Sequence, residues 1–175
     1  ALLDVDYSFS DKNVMLRGVT TSAEAKNVLL KELARKGYAV MDCLELLPDV
    51  KGLEGKTCGI INVSVANMRV APDFSSEMMT QSLMGMPVRV LQRDGWVRIQ
   101  TPDNYIAWVH RVGVHPVTEE EMAAWNKAEK IVVTAHYGFV YSEPNQTSQT
   151  VSDVVAGNRL KWEGSKGAFY KVTYP

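Results

Sequence analysis

The chain has 175 residues, which suits one or two domains of ordinary size. Its 19 basic and 20 acidic residues give a net charge of −1, so electrostatics do not favour nucleic acid as a partner. Apolar residues make up 46% of the chain, as in ordinary globular proteins, and no apolar run approaches the roughly 18 residues that a membrane span needs. The chain begins at Ala1 and has no basic and apolar leader at its start. Either the removal of a signal peptide or the trimming of the chain would produce such a start.

Residues 1–57 are predicted to form a segment that contains one helix. Thr21-Ser22-Ala23-Glu24 has the capping-box pattern that begins a helix, and Gly37 is a residue that ends one. Apolar side chains between these signals recur at helical spacing, so a helix is expected over about Ser22–Lys36. Asp4–Asp11 is expected to be irregular, whereas Tyr38–Leu47 alternates and is expected to form a strand.

Residues 58–117 consist mostly of short β-type runs separated by turn residues. Arg93-Asp94-Gly95 and Pro102-Asp103-Asn104 tolerate the backbone angles of tight hairpins. Several short strands with little room for a helix predict a small β-barrel. Trp96 and Trp108 lie on these strands and are expected to be core residues, with a groove for an extended peptide as the alternative. The runs are Val63–Val65, Pro87–Leu91, Trp96–Gln100 and Tyr105–Val109.

A linker helix is predicted over residues 118–129. Thr118–Glu121 is a second capping box, and the helix ends near Lys130, where Ile131–Thr134 turns β-like. Trp125 is expected to pack against one of the flanking barrels. Residues 130–175 are then predicted to form a second barrel.

The second barrel is expected to be a weaker copy of the first. Pro72 and Pro144 are 72 positions apart, as are Gly85 and Gly157. Pro102 and Pro175 are 73 apart, which places Trp96–Ile99 on Phe169–Val172 and indicates an internal repeat. The copy has Ala135–Gly138 where the first has Ala66–Arg69, and it stops before a closing strand. The sequence therefore predicts an incomplete second barrel and a fragment of a longer protein.

Several runs together resemble the bacterial SH3 domains that precede the catalytic domain in NlpC-type cysteine peptidases, which trim cell-wall peptides. The resemblance implies a mainly β chain with two SH3-like barrels in tandem, an N-terminal helical segment and a short linker helix. It covers most of the chain but not the family's catalytic part. The runs are Leu46–Asp49, Gly59–Ser64, Ala66–Arg69 with Ala71-Pro72, Thr80–Gly85 before Pro87–Val90, Asp94–Ile99 and Asp103–Val109.

The resemblance implies that this chain positions substrate for a peptidase that cleaves γ-D-glutamyl–diamino acid bonds in murein peptides. The family's first SH3 domain recognises the free amino terminus of a peptide that begins with L-alanine, using a glutamate and a tyrosine. The matching residues here are Glu77 and Tyr105, and Asn104 stands where the family more often has glycine. A surface glutamate and a tyrosine packed on the barrel rim are the alternative interpretation.

The implied partners are the murein peptide and an NlpC-type catalytic domain of the same protein, and no cofactor is implied. The resemblance implies export to the periplasm or cell envelope, with the cytoplasm as an alternative for an enzyme that acts on imported peptides. Two other functions remain open. One is a free-standing peptidoglycan-binding module without enzyme activity, and the other is a scaffold for proline-rich partners.

No catalytic or metal site is predicted within the chain itself. The resembled family presents its cysteine in an Asp-Cys-Ser-Gly run, and the partial match here, Asp42-Cys43, has a strand-like apolar context that raises a thiol pKa. The two cysteines and three histidines lack the close spacing of a zinc site. Cys43 and Cys58 are equally compatible with one disulfide and with two separate buried thiols.

Overall fold

A computed structural model describes residues 1–174 of the chain, and 50% of it is strand and 14% helix. The prediction of a mainly β fold with two helices is therefore confirmed. The chain divides into two compact units, Ala1–Gly52 and a larger unit that begins at Leu53.

The first unit is a three-stranded sheet with one helix. Its elements are β1 (Leu3–Ser10), β2 (Asn13–Thr20), α1 (Ala23–Arg35) and β3 (Ala39–Leu46). Strands β1 and β2 form an antiparallel hairpin, and β2 and β3 pair in parallel with α1 as the crossover between them. Apolar side chains of α1 pack on a small core made by β2 and β3.

Two expectations for this unit are corrected. The segment Asp4–Asp11 is not irregular, because β1 runs through most of it and pairs with β2 along eight positions. Alternating apolar side chains from Leu3 to Phe9 have the two-residue period of a strand. In addition, the N-cap of α1 is Ser22, whose Oγ accepts from the Ala25 N–H at 3.1 Å, so the Thr21–Glu24 capping box does not form.

The larger unit begins with a seven-stranded antiparallel sheet, which we call repeat 1. Its strands are hydrogen-bonded in the order β10-β4-β7-β8-β9-β5-β6, and a short 3-10 turn at Arg111–Gly113 joins β9 to β10. The sheet is SH3-like, but its end strands do not pair with each other, so it is not a closed barrel. The strands are β4 (Cys58–Ile61), β5 (Val65–Arg69), β6 (Met78–Leu83), β7 (Pro87–Asp94), β8 (Trp96–Gln100), β9 (Ile106–His110) and β10 (Val114–Val117).

The core of repeat 1 corrects the prediction for its tryptophans. Strands β8 and β9 alternate, and their inward positions are aliphatic residues that are at most 2% exposed, namely Val97, Ile99, Ala107 and Val109. Trp96 and Trp108 occupy the outward positions between them and are half-buried. Both lie on strands as expected, but a period of two places them on the opposite face from the core.

Helix α2 (Glu119–Lys127) connects the two repeats and is fixed at both ends. The predicted capping box forms, with Thr118 and Glu121 exchanging hydrogen bonds at 2.8 and 3.2 Å. At the other end, the Lys130 ammonium donates to the carbonyls of Trp125 and Ala128. Trp125 is buried against β4, and its indole N–H donates to the Gly85 carbonyl at 3.3 Å.

Five further strands form repeat 2. They are β11 (Lys130–Val132), β12 (Tyr137–Tyr141), β13 (Thr150–Val155), β14 (Arg159–Lys166) and β15 (Phe169–Thr173). They form two separate sheets, β11-β14-β15 and β12-β13. Their shared core includes Met84, which repeat 1 contributes, together with Val154 and Leu160.

The internal repeat can be aligned strand by strand. A register shift interrupts β5 between Met68 and Arg69, and an equivalent shift interrupts β12 between Val140 and Tyr141. This offset of 72 places Ala66–Arg69 on Gly138–Tyr141 rather than on the expected Ala135–Gly138. The offset becomes 73 after Gly167, where Ala168 is an additional residue before β15. The predicted match of Pro102 with Pro175 lies outside the described residues.

Candidate functional site

The loop between β5 and β6, residues 70–77, is held by its own hydrogen bonds. The Val70 N–H donates to the Glu77 carbonyl at 3.1 Å and thereby extends the pairing of the two strands. The Ala71 N–H donates to the Ser76 Oγ at 2.9 Å, and the Arg69 guanidinium donates to the Ser76 carbonyl at 2.5 Å. The backbone on both sides of Glu77 is therefore held in place.

Asp73 forms the tight turn at the tip of this loop. Its Oδ1 accepts from the Ser75 hydroxyl and from the Ser75 N–H, both at 2.6 Å. These hydrogen bonds lower the pKa of Asp73 below its ordinary value, and the positive charge of Arg69 contributes in the same direction. The carboxylate is thus ionised, and it accepts hydrogen bonds from within its own loop.

Glu77 follows this turn and its side chain is exposed. Within residues 1–174, its carboxylate makes no hydrogen bond or ion pair. The neighbouring carboxylate, that of Asp73, already accepts two hydrogen bonds from Ser75. The loop therefore presents Glu77 as an uncommitted negative charge.

Tyr105 precedes β9 and is 47% exposed. Its backbone is anchored, because the Tyr105 N–H donates to the Thr101 Oγ1 at 3.0 Å and the Thr101 N–H donates to the Tyr105 carbonyl at 2.9 Å. Asn104 has a φ of 70°, a conformation that glycine adopts without strain and asparagine tolerates. Asn104 is thus compatible with the turn, and the phenol extends from an ordered backbone.

Glu77 and Tyr105 lie at the same end of repeat 1. Glu77 immediately precedes β6, Tyr105 immediately precedes β9, and these two strands flank β5 on its two sides. Both run antiparallel to β5, so both residues lie where β5 ends. Among residues 1–174, no hydrogen bond joins their side chains. Their assignment as a binding pair stays a prediction.

A partly exposed aromatic cluster lies beside the same loop. Phe74, which is 67% exposed, approaches Trp96 and His110 with ring centroids 4.9 and 5.1 Å away. Trp96 and His110 are themselves cross-strand neighbours, 5.3 Å apart. Sequence reasoning missed this cluster because it assigned Trp96 to the core and Phe74 to no role. The alternation of β8 and β9 was the signal that could have revealed it.

Repeat 2 contains a loop with the same hydrogen bonds but with a neutral residue at the position of Glu77. Asn145 Oδ1 accepts from the Thr147 hydroxyl and N–H, both at 3.0 Å, as Asp73 does from Ser75. The Ser142 N–H donates to the Gln149 carbonyl at 2.9 Å, which matches the bond from Val70 to Glu77. The loop position that holds the Glu77 carboxylate in repeat 1 therefore holds the neutral amide of Gln149 in repeat 2, on the same loop backbone.

Neither cysteine has the surroundings of a nucleophile. Cys43 and Cys58 are free thiols, and Cys43 is exposed on β3, so the description of both as buried thiols is wrong. Asp42 accepts from the Lys26 ammonium at 2.9 Å and from the Leu44 N–H at 3.0 Å, so its role is structural. Burial, followed by the charge of Glu119, raises the pKa of Cys58.

Two other kinds of feature that could indicate a function are a metal site and a membrane-spanning helix. Within the described residues 1–174, no group of three or more His, Cys, Asp or Glu side chains is placed to hold a metal ion. Neither helix in that part of the chain is long and apolar enough to cross a membrane.

Comparisons with known proteins agree with this geometry. Residues 68–112, which hold the β5–β6 loop and strands β6 to β9, match the family model described as the bacterial dipeptidyl-peptidase SH3 domain. No curated protein matches the sequence. Among solved structures, the fold resembles an NlpC/P60 family protein from Bacillus cereus ATCC 10987, with 20% identity, a TM-score of 0.55, and coverage of 67% of this chain and 51% of that one.

A second solved structure has a similar fold. It is an NlpC/P60 endopeptidase from Photobacterium damselae subsp. piscicida, with 12% identity, a TM-score of 0.53, and coverage of 87% of this chain and 36% of that one. The chain therefore spans about half or less of the length of these two proteins. The family match and the SH3-like sheet together assign residues 68–112 to a bacterial SH3 domain of the dipeptidyl-peptidase type.

Proposed function

We propose that this chain is the substrate-positioning portion of a bacterial cell-wall peptidase. The substrates are murein peptides with a free N-terminal L-alanine, cleaved at the γ-D-glutamyl–diamino acid bond. The reaction is performed by an NlpC-type cysteine peptidase domain that is not among residues 1–175. The peptidase-type SH3 match and the fold shared with NlpC/P60 proteins support an association with such an enzyme. We place the enzyme in the periplasm or cell envelope.

One observation carries the assignment of the binding residues. Glu77 is an exposed carboxylate on an ordered loop, and the matching position of an equivalent loop in repeat 2 is the neutral Gln149. A shared need for folding cannot explain the charge, because the loop of repeat 2 forms without it. The charge at position 77 therefore fits a role in binding.

The chemistry of the pair suits an ammonium group. A cation that leaves water needs a counter-charge and additional hydrogen-bond acceptors. The Glu77 carboxylate supplies the charge, and the Tyr105 phenol oxygen can accept a further hydrogen bond. A substrate whose amine is still linked to the glycan has no ammonium group, so the same pair would exclude intact cell wall.

The test uses the complete enzyme that carries this chain. Glu77→Gln should lower kcat/KM for a free-amine L-Ala-γ-D-Glu peptide by about 10- to 100-fold, because a hydrogen bond to a charged group contributes about 1.5–3 kcal/mol. Tyr105→Phe should lower it less. Gln149→Glu is the matched control, since it places a carboxylate on the equivalent loop, and it should leave kcat/KM unchanged.

The N-acetylated form of the same peptide provides the decisive comparison. The wild-type enzyme should discriminate strongly against it, whereas Glu77→Gln should treat the two peptides more equally. Unchanged kinetics in both Glu77→Gln and Tyr105→Phe, with folding intact, would remove the site assignment.

A free-standing peptidoglycan-binding module is the alternative function. The partly exposed cluster of Phe74, Trp96 and His110 fits a binding surface under either proposal. The coding sequence beyond Pro175 distinguishes the two proposals. An Asp-Cys-Ser-Gly run within a following domain supports the peptidase, and a stop codon supports the module.

A further inference from the structure

The tip of the loop at residues 70–77 is attached to the sheet of repeat 1 by one aromatic side chain. The ring of Phe74 lies against Trp96 and His110, with ring centroids 4.9 and 5.1 Å away. Trp96 and His110 are cross-strand partners whose ring centroids are 5.3 Å apart, so each of the three rings contacts the other two. Aromatic pairs at these distances attract each other beyond the effect of burial alone. Phe74 therefore attaches the loop tip to strands whose other face forms the core.

The end of the same loop is attached by Arg69, the last residue of β5. Its guanidinium donates to the Ser76 carbonyl at 2.5 Å, and that carbonyl belongs to the peptide bond that precedes Glu77. Arg69 is also the cross-strand partner of Trp108 on β9. A hydrogen bond from a charged donor is stronger than one from a neutral donor. The backbone next to Glu77 is therefore attached to the sheet as well.

The equivalent loop of repeat 2 folds without either attachment. Its turn has the same hydrogen bonds, including the one from a backbone N–H to a serine hydroxyl. At the repeat offset of 72, Phe74 is matched by the exposed Gln146, and Arg69 is matched by Tyr141. Neither of these side chains hydrogen-bonds to the loop within residues 1–174. The two attachments are thus not needed for the loop to form, and they are found in the repeat whose loop carries Glu77.

An attached loop is better prepared to bind than a mobile one. A carboxylate on a mobile loop must be ordered when its ligand binds, and the lost conformational freedom subtracts from the affinity. A loop that is already held loses less, and its carboxylate stays where an ammonium group can meet it. The point applies to Glu77 because its own carboxylate makes no hydrogen bond or ion pair within residues 1–174 that would hold it.

We propose that Phe74 and Arg69 are positioning residues for the Glu77 carboxylate. Phe74 acts through the tip of the loop and Arg69 through the Ser76 carbonyl, so neither side chain contacts the ligand. Together they set how strongly the loop prefers a free ammonium group to a blocked, neutral amine. The inference rests on the proposed role of Glu77 in binding and adds two residues to that role.

Repeat 2 supplies the substitutions that test the proposal. Phe74→Gln and Arg69→Tyr introduce the residues with which the equivalent loop folds. In the complete enzyme, each should lower kcat/KM for the free-amine L-Ala-γ-D-Glu peptide by roughly 3- to 10-fold, mainly by raising KM, because the loop must then be ordered on binding. Phe74→Tyr keeps the ring and should restore most of this loss. Gln146→Phe is the matched control in repeat 2 and should leave kcat/KM unchanged.

A double-mutant cycle separates positioning from direct contact with the ligand. A residue that acts only through Glu77 has no effect once that carboxylate is gone. Phe74→Gln and Arg69→Tyr should therefore change kcat/KM by less than about twofold in a Glu77→Gln background. An equal loss in the two backgrounds would show that the side chain contacts the ligand itself, and it would overturn the proposal.

NMR relaxation of backbone amides measures the order of the loop without a substrate. In the wild-type enzyme, the order parameters of Ser76 and Glu77 should be about 0.85, as in rigid backbone, and those of Ser148 and Gln149 should be lower. Phe74→Gln should bring the first pair down towards about 0.6, while amides of β8 and β9 keep their values. Equal order in the two wild-type loops, or no change in the variant, would overturn the proposal.

The kinetics also distinguish this inference from the proposed function on which it rests. A loss of activity in Glu77→Gln, with none in Phe74→Gln or Arg69→Tyr, would overturn the positioning role alone. Unchanged activity in Glu77→Gln would overturn the binding site and the positioning role together.

Discussion

Equivalent backbone hydrogen bonds form in the two repeats, but the two cores are enclosed to different degrees. Repeat 1 contributes eleven buried residues to one cluster, whereas the cluster of repeat 2 has three, one of which is Met84 of repeat 1. The loops and register shifts match, so these features do not account for the difference. The cluster of repeat 1 also includes side chains of β9 and β10, and these two strands have no counterpart among the described residues of repeat 2.

The comparison also separates structural from functional residues. In the loops, the residues that form the turn are chemically similar in both repeats, with Asp73 matched by Asn145 and Ser75 by Thr147. The exposed residues differ, since Phe74 is matched by Gln146. Side chains that maintain the loop are thus kept, and the exposed side chains whose chemistry is found only in repeat 1 are candidates for binding.

The largest difference is expected from matched core truncations. Ile99 is fully buried, and Ile99→Ala should lower the free energy of unfolding by about 2–5 kcal/mol. Val172 is its counterpart in repeat 2 and is only half-buried, so Val172→Ala should cost about 1 kcal/mol or less. Urea denaturation of both variants measures the difference. Equal costs would mean that the core of repeat 2 is as enclosed as that of repeat 1.

The contact between the repeats should show the next largest effect. Gly85 has a φ of 82°, and an added Cβ would lie 2.2 Å from the Arg159 carbonyl oxygen, so Gly85→Ala should cost about 3 kcal/mol. Gly157 also has a positive φ, but its added Cβ would meet only the movable end of Leu83, so about 1–2 kcal/mol is expected.

Thermal denaturation of these two variants measures the contact. Gly95→Ala is the control, because Gly95 has a φ of 67° with no atom within 4 Å of an added Cβ. A cost for Gly85→Ala no larger than that of the control would show that the backbones of the two repeats separate without penalty.

The smallest effect is a local response of the Asp73 loop to acid. The pKa of Asp73 is lowered in the folded chain, chiefly by Ser75, so its contribution is complete above the ordinary pKa of an aspartate and is lost as the pH falls through the lowered value. Asn145 does not titrate. The NMR signal of the Ser75 amide should therefore move in acid while that of Thr147 stays constant.

Asp73→Asn provides the control for this titration. It converts the first loop into the chemistry of the second, so the acid response of the Ser75 amide should disappear. A response that persists in this variant would have to come from another acid.

Much of the fold could be predicted from the sequence because its signals are local. The turn at Gly95, the capping box at Thr118 and the exact ends of β8 all depend on residues that are adjacent in the chain. The offset of 72 is also visible in the sequence, since a proline and a glycine mark it in each repeat. The family resemblance added the type of SH3 domain.

The errors concern features that depend on distant neighbours. Trp96 was assigned to the core because it is large and apolar, but the phase of β8 relative to β9 decides which face is buried. Strand β1 was missed because β2 supplies its hydrogen bonds and most of its apolar residues remain exposed. The cluster at Phe74 required a loop to meet two strands, which no local pattern reveals.

The connection through Trp125 has a consequence for avidity. Its indole N–H is bonded to the Gly85 carbonyl, and Lys130 holds the end of the same helix, so the connector has little freedom to act as a hinge. The β5–β6 loop and the equivalent loop at residues 142–149 are therefore held at a fixed separation. A ligand with two groups that contact both loops at that spacing would bind its second group at high effective concentration, whereas a ligand with a different spacing would gain nothing.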